Sequence, residues 1–284
     1  MSAPNRGFKY SKAMGQNFLI DDSVAERVAR EARVDASWGV LEIGPGEGAL
    51  TERLCAAVGR VVAVELDRRL LPALGRRLAG FGNAEVICGD ILKPDVLRAA
   101  AEKLRGFRPA VCANLPYNIT TPVITALLSS EVFETVTVMT QREVAARICA
   151  RPGTPDCGAF SVFCQFYASC GILFDVPPTA FFPRPGVLSS VVRMEARAER
   201  AVGRDDEEMF FRVARAAFAQ RRKTLVNALH SAFGRSFTKA ELADALSSLG
   251  YGAAIRGETV DIAGFAAIAS ALRERDARFY TDLT

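Results

Sequence analysis

From Gly39 onward, short apolar, β-branched runs alternate with stretches of helical period. Residues 40–43 read as a strand, followed by a glycine-rich turn and a helix over 47–58. Residues 60–66 form a second predicted strand, with a helix over 68–79. A third strand spans 84–88 and a helix follows near 94–104. A fourth spans 110–114, with a helix over 121–129, and a fifth spans 135–139, with a helix over 143–150. Such alternation predicts an α/β fold with a mostly parallel sheet covered on both faces. A further helix over 159–169 and two more strands, 172–176 and 188–195, continue the pattern. Between those strands lies Pro177-Pro178-Thr179-Ala180-Phe181-Phe182-Pro183-Arg184-Pro185, whose four prolines make a stiff, extended loop.

After Glu195 the character changes. Residues 196–206 are charged and lack apolar periodicity, which places a linker there. From Glu207 onward the pattern is helical only. Thr238 with Glu241 forms a T-x-x-E capping box that starts one helix, and Gly250 and Gly252 break it. The chain is therefore expected to hold two domains, a catalytic one over 1–200 and a small helical one over 201–284. Its 284 residues suit that division.

Composition narrows the chemistry. No apolar run approaches the roughly 18 residues of a membrane span, and residues 1–20 lack the apolar core of a signal peptide. The expectation is a soluble, cytoplasmic protein without a membrane partner. Seven cysteines occur with no CxxC pair, and His230 is the single histidine, on an apolar helical pattern. A Cys/His zinc site and a Ser-His or Cys-His catalytic pair are both disfavoured. The thiols are expected to be reduced, buried and small-apolar in behaviour. The net charge of +4 and pI near 8.7 permit nucleic-acid binding without demanding it. Basic residues cluster: Arg6, Lys9 and Lys12 in an N-terminal stretch without acids, Arg68, Arg69, Arg76 and Arg77 along one predicted helix, and Arg221-Arg222-Lys223 in a row. Residues 205–284 carry 11 basic and 11 acidic side chains, so any RNA contact there must be local.

The turn after the first predicted strand reads Leu41-Glu42-Ile43-Gly44-Pro45-Gly46-Glu47-Gly48-Ala49. Glycines there let a ligand approach the backbone, and the helix start offers unpaired N–H groups. Glu65 ends the second strand, 21 positions after Gly44, where an acid accepts from ribose hydroxyls. Asp90 follows the third strand and could accept from an adenine amine. Gly44, Gly46 and Ala49 also satisfy the dinucleotide pattern G-x-G-x-x-A, so this loop alone leaves a nicotinamide cofactor open. Acidic Glu42 beside the loop suits a sulfonium or amino group better than a pyrophosphate. That favours S-adenosylmethionine, as does the fourth strand.

The fourth strand ends Asn114-Leu115-Pro116-Tyr117. The lone pair of an adenine N6 amine is delocalised into the ring, which makes it a poor nucleophile. The Asn114 side-chain oxygen and the Pro116 carbonyl could accept its two hydrogens and localise the lone pair toward a methyl group. Tyr117 could stack on the base. No strong base is required, because the proton can leave after transfer, and catalysis is mainly positioning.

With these motifs the sequence resembles the rRNA adenine N6,N6-dimethyltransferases, of the type acting on small-subunit rRNA. Gly15-Gln16-Asn17-Phe18-Leu19, Glu42-Ile43-Gly44-Pro45-Gly46, Glu65-Leu66-Asp67, Gly89-Asp90 and Asn114-Leu115-Pro116-Tyr117-Asn118-Ile119 match family motifs in order. Phe181, Pro183, Pro185, Val187 and Ser189 resemble its F-x-P-x-P-x-V-x-S loop, and residues 217–224 its A-F-x-Q-R-R-K-T signature. The resemblance implies a Rossmann-like S-adenosylmethionine methyltransferase sheet with a small C-terminal helical domain. It implies cofactor contacts from Asn17, Leu19, Gly44, Glu65, Asp90 and Asn114. Catalysis would rest on Asn114, Pro116, Tyr117 and Phe181, the two rings holding a flipped adenine between them. The implied partner is small-subunit rRNA or an immature small ribosomal subunit, with a monomeric, metal-free enzyme. Gly186 and Leu188 depart from the family, where a lysine or other polar residue and an aspartate are common. Two alternatives stand beside this reading. One is a methyltransferase of another adenine or amide substrate, such as DNA or a glutamine side chain. The other is a non-catalytic assembly or transcription factor, against which the intact Asn114–Tyr117 motif argues.

Overall fold

The computed structural model describes residues 16–281, and the side chains of 276–281 fall outside the description. Arg6, Lys9, Lys12 and Gly15, singled out in the sequence, lie outside the described residues. The elements in chain order are β1 (Phe18–Leu19), α1 (Asp22–Glu31), β2 (Trp38–Ile43), α2 (Ala49–Ala57), β3 (Arg60–Glu65), α3 (Leu71–Leu78), β4 (Ala84–Cys88), α4 (Pro94–Glu102) and β5 (Arg108–Asn114). They continue with α5 (Thr120–Ser130), β6 (Thr135–Gln141), α6 (Arg142–Ile148), α7 (Ala159–Tyr167), β7 (Ala168–Val176), β8 (Phe181–Phe182) and β9 (Ser189–Ala196). Last come α8 (Glu207–Ala219), α9 (Leu225–Phe233), α10 (Lys239–Ser248) and α11 (Ile262–Thr281).

Seven strands form one sheet in the order β4-β3-β2-β5-β6-β9-β7. The five from β4 to β6 are parallel, and β9 and β7 close the edge antiparallel. Every residue of β2 is buried, as expected of a strand covered on both faces. The chain leaves β2 for β3 on one side and later returns to β5 on the other. Strand order therefore reverses at β2/β5, and a crevice opens at the carboxyl ends there. This is the α/β class that the alternation predicts, in the Rossmann-like form that the resemblance implies.

Two elements escape the periodicity. Helix α1 is amphipathic and capped by Asp21, whose carboxylate accepts from the N–H groups of Ser23 and Val24. The ladder β1–β8 pairs Phe18 with Phe182 and Leu19 with Phe181, too short to leave a period in sequence. Boundaries also shift. The predicted helix starts at 47 and 68 move to Ala49 and Leu71, because the preceding residues form turns. The predicted helix 159–169 ends at Tyr167, where the chain turns directly into β7.

Two compact units divide the chain. One runs to Ala145 and takes in Ala168–Ala196; the other holds Ala146–Tyr167 and the residues from Arg197. The division differs from a single cut after residue 200, because α7 belongs with the C-terminal helices. In that second unit Val162 and Phe166 pack with Phe210, Val213, Leu229 and Phe265, and the Phe166 and Phe210 rings lie 4.6 Å apart. The capping box of Thr238 and Glu241 forms at the start of α10 as predicted. His230 sits on α9. The thiols follow expectation in part. Cys55, Cys112, Cys157 and Cys164 are buried, Cys149 and Cys170 are half-buried, and Cys88 is exposed at the end of edge strand β4.

Candidate active site

The cofactor loop leaves β2 through a turn that needs glycine. Gly44 and Gly46 have φ of +65° and +59°, in the left-handed region that glycine enters without steric cost. A Cβ on Gly46 would also stand 2.9 Å from the Phe18 ring, so the loop and β1 press together. Glu65 ends the neighbouring strand β3 and fastens this turn. Its carboxylate accepts from the Gly46 N–H at 3.1 Å and the Asp67 N–H at 2.8 Å. Burial, at 5% exposure, holds its carboxyl above the ordinary carboxylate range despite these bonds.

Glu42 is deeper still. It is 2% exposed, and its Oε2 has no hydrogen-bond partner among the described residues. Burial pushes its carboxyl up to about 8, and the nearby Glu65 carboxylate pushes the same way. An acid placed so, lining a cleft, is costly to the fold unless a cation or donor joins it. Asp67 behaves oppositely. Arg69 donates to both its oxygens, Gln16 adds a bond of 3.0 Å, and its pKa falls to about 2. The Gln16 bond ties the segment entering β1 to the end of β3. Asp90 follows β4 in an Asx turn, its Oδ1 accepting from the Leu92 N–H at 3.0 Å.

At the end of β5 the Asn114 Nδ2 donates to the Asn17 carbonyl at 3.1 Å. Only the amide NH2 can make that bond, so the amide orientation is fixed and Oδ1 is the group left to accept. The Pro116 carbonyl differs from its expected role. It already receives the Ile119 N–H at 3.2 Å and the Thr120 hydroxyl at 3.1 Å, which engages both lone pairs. Tyr117 is held by a 2.7 Å bond between its hydroxyl and the Ser189 hydroxyl, and Ser189 is fully buried at the start of β9.

One cleft is lined by Asn17, Leu19, Glu42, Gly44, Glu65, Asp90, Asn114, Leu115, Pro116 and Tyr117 together. Every expected site residue except Phe181 is among its walls. Phe181 is 2% exposed and packs in the core with Leu19, Val176, Ala180 and Val191. An aromatic ring with no polar atom gains about 1.5–3 kcal/mol from such burial, which explains its inward position. The sequence reading missed Gln16, Asp67 and Ser189 as parts that hold the site in place. They were visible only as members of motifs.

The donor set fits S-adenosylmethionine. The buried Glu42 carboxyl, with one oxygen unbonded, suits a cationic amino or sulfonium group that would hold it ionised, and the acids Glu65 and Asp90 suit ribose and adenine donors.

Residues 7–250 match the family model described as ribosomal RNA adenine dimethylase. The chain is 42% identical over 269 residues to the ribosomal RNA small subunit methyltransferase A of Geobacillus thermodenitrificans, covering 94% of this chain and 92% of that protein. It is 44% identical over 271 residues to the protein of the same name in Streptococcus agalactiae, covering 94% and 93%. Among solved structures, the 23S rRNA methyltransferase ErmE superposes with a TM-score of 0.70 at 25% identity, over 90% of this chain and all of that one (100%). A dimethyladenosine transferase from Plasmodium falciparum shares the fold, with a TM-score of 0.76 at 23% identity over 91% and 98% of the two chains. With that match across most of its length, the chain is a methyltransferase and belongs to the ribosomal RNA adenine dimethylase family.

Proposed function

We propose that this enzyme transfers methyl groups from S-adenosylmethionine to the N6 amines of adenines in small-subunit ribosomal RNA, dimethylating two adjacent adenines during ribosome biogenesis. The enzyme acts in this reading as a cytoplasmic monomer on the rRNA or on the immature subunit. The observation that carries the reading is Asn114, whose amide is oriented by the Asn17 carbonyl inside a cleft that also holds Glu42, Glu65 and Asp90.

When bound, S-adenosylmethionine supplies an electrophilic methyl group on a sulfonium. Glu42 would meet its cationic end, Glu65 would accept from the ribose and Asp90 from the adenine amine. Asn114 Oδ1 accepts one N6 hydrogen of the target base. The second acceptor is the Leu115 carbonyl rather than that of Pro116, which is already engaged by Ile119 and Thr120. Two acceptors draw the N6 lone pair out of the ring plane toward the methyl carbon. Tyr117, steadied by Ser189, stacks on the base. Held so, the amine would take the methyl group that bound S-adenosylmethionine would supply, and its proton would pass to solvent afterwards. Asn114 and Leu115 act by orientation, so no residue here must titrate near neutral pH.

The test is methyl transfer from labelled cofactor to unmethylated small subunits, with the modified nucleotides mapped. Labelled dimethyladenosine at adjacent positions is the expected result. Label on another base or on protein would overturn the reading.

A further inference from the structure

Strand β6 carries Val136, Val138 and Thr140 on one face, since alternate strand residues share a side. Val136 and Val138 are buried, and the next position of the row is a threonine that is 0% exposed. A valine there would complete the apolar row, and a buried hydroxyl is a cost to the fold unless it is bonded. The bond leads to the turn after β5. The Thr140 hydroxyl lies 3.2 Å from the Thr120 hydroxyl at the start of α5, and the Thr120 hydroxyl lies 3.1 Å from the Pro116 carbonyl.

The direction of this chain of bonds is fixed. A carbonyl only accepts, so Thr120 spends its one proton on Pro116, and Thr140 must be the donor to Thr120. Thr120 is 1% exposed, so both bonds lie away from competing water. The proline ring fixes φ at Pro116, and the hydroxyl on its carbonyl, with the Ile119 N–H, holds the remaining freedom, ψ. Strand β6 also lends its Met139 carbonyl to the Leu115 N–H at 3.0 Å. Ser189, which holds the Tyr117 hydroxyl, stands opposite Gln141 in register, beside Thr140. The turn that carries Asn114, Leu115 and Tyr117 is thus fastened to one corner of the sheet, where β6 meets β9.

We propose that Thr140 is a positioning residue for methyl transfer, holding the Asn114–Tyr117 turn through the Thr120 hydroxyl and the Pro116 carbonyl. The proposal rests on the adenine methyltransferase reading above, in which two acceptors and a ring act by orientation. A reaction that depends on orientation is sensitive to small shifts of the backbone carrying the acceptors. Neither Thr140 nor Thr120 lines the cleft, so their effect reaches the amine only through the turn.

The experiment measures transfer from labelled S-adenosylmethionine to unmethylated small subunits, with melting temperatures, for the wild type, Thr140→Val, Thr140→Ser, Thr120→Val and the Thr120→Val/Thr140→Val double variant. Thr140→Val keeps the shape of the side chain and removes the hydroxyl. Its kcat is expected to fall about tenfold, as loss of one hydrogen bond in an oriented site implies. Both KM values and the melting temperature should change little. Thr140→Ser keeps the hydroxyl and loses a buried methyl group, so kcat should stay near that of the wild type while the melting temperature falls. Thr120→Val should match Thr140→Val, and the double variant should be no slower than either, because both cut one chain of bonds. With an active wild type, unchanged kcat in Thr140→Val or in Thr120→Val, or a kcat that follows melting temperature across the set, overturns the positioning role and leaves the function standing. A wild type that transfers nothing to subunits overturns the function, and the positioning role with it.

Discussion

Glu42 is a carboxyl buried with one oxygen unbonded, and its raised pKa has a consequence for stability. Its ordinary value is 4.5 and burial pushes it up to about 8. Between those values the unfolded chain has released a proton that the folded chain retains, so stability falls as pH rises through the window and levels off above it. The ligand-free enzyme should melt at progressively lower temperature from about pH 5 to pH 8, and Glu42→Gln should flatten that dependence. A profile identical to wild type would place the titration elsewhere. Glu65→Ala should weaken S-adenosylmethionine binding about 10- to 100-fold, because a charge-assisted acceptor is lost and the Gly46 turn is released; calorimetry reads this directly. Asn114→Ala should remove most methyl transfer while folding and subunit binding persist, since Asn114 Oδ1 is the proposed side-chain acceptor for the amine. Near-normal turnover would reduce Asn114 to a strand-end structural residue. Side chains of this kind were legible in the sequence because residue type, strand end and glycine spacing together imply a cofactor loop. What was not legible is which backbone carbonyl is already engaged. The Pro116 carbonyl is taken by the turn that follows it and by Thr120, a matter of local hydrogen bonding that no residue type announces.

The pattern from Glu207 onward predicts helix, yet Arg221, Arg222 and Lys223 occupy the turn between α8 and α9. Gln220 follows α8 as its C-cap, and the Lys223 N–H bonds back to its carbonyl at 2.9 Å. The three cations therefore differ by partner rather than by helix face. Arg221 donates to the Pro155 carbonyl at 2.7 Å and pairs with Glu258 at 3.6 Å. Arg222 and Lys223 are exposed, and their side chains have no partner among the described residues. Arg221→Ala should thus lower the melting temperature by releasing the 155 and 258 loops. The Arg222→Ala/Lys223→Ala double variant should keep its melting temperature and bind subunits with a shallower salt dependence, by about 0.7–0.9 per lost phosphate contact. A lower melting temperature with an intact slope would assign the pair to the fold. The parallel strands were plain in the sequence because strands buried on both faces are continuous apolar runs. The β1–β8 ladder and α1 were not. A two-residue ladder is held by its partner strand, and α1 announces itself mainly through the Asp21 cap.

At the scale of the whole chain, the change of composition after Glu195 was visible, but the chain passes between the two compact units three times, not once. Sequence marks α7 as apolar on one face without saying what it meets, because its partners lie more than 40 residues away. In the structure Val162 and Phe166 are 4% and 0% exposed, buried with Phe210 and Val213 of α8 and Phe265 of α11. The segment before α7 is fastened within the same unit, with the Gly153 N–H donating to the Glu258 carbonyl at 2.6 Å and Arg221 reaching Pro155. A chain ending at Arg200, the boundary that composition alone would choose, keeps α7 and discards everything that covers it. Uncovering Val162 and Phe166 forfeits about 1.5–3 kcal/mol for each side chain. That truncated chain should bind a hydrophobic dye, melt below the full-length enzyme and lose hydrogen-exchange protection across 146–167, while β2 to β6 stay protected. S-adenosylmethionine affinity should largely survive, since every wall of the cleft lies before residue 120. A truncated chain that melts like the full one and binds no dye would mean that α7 is stable without α8 and α11, and that the unit boundary falls where the composition changes.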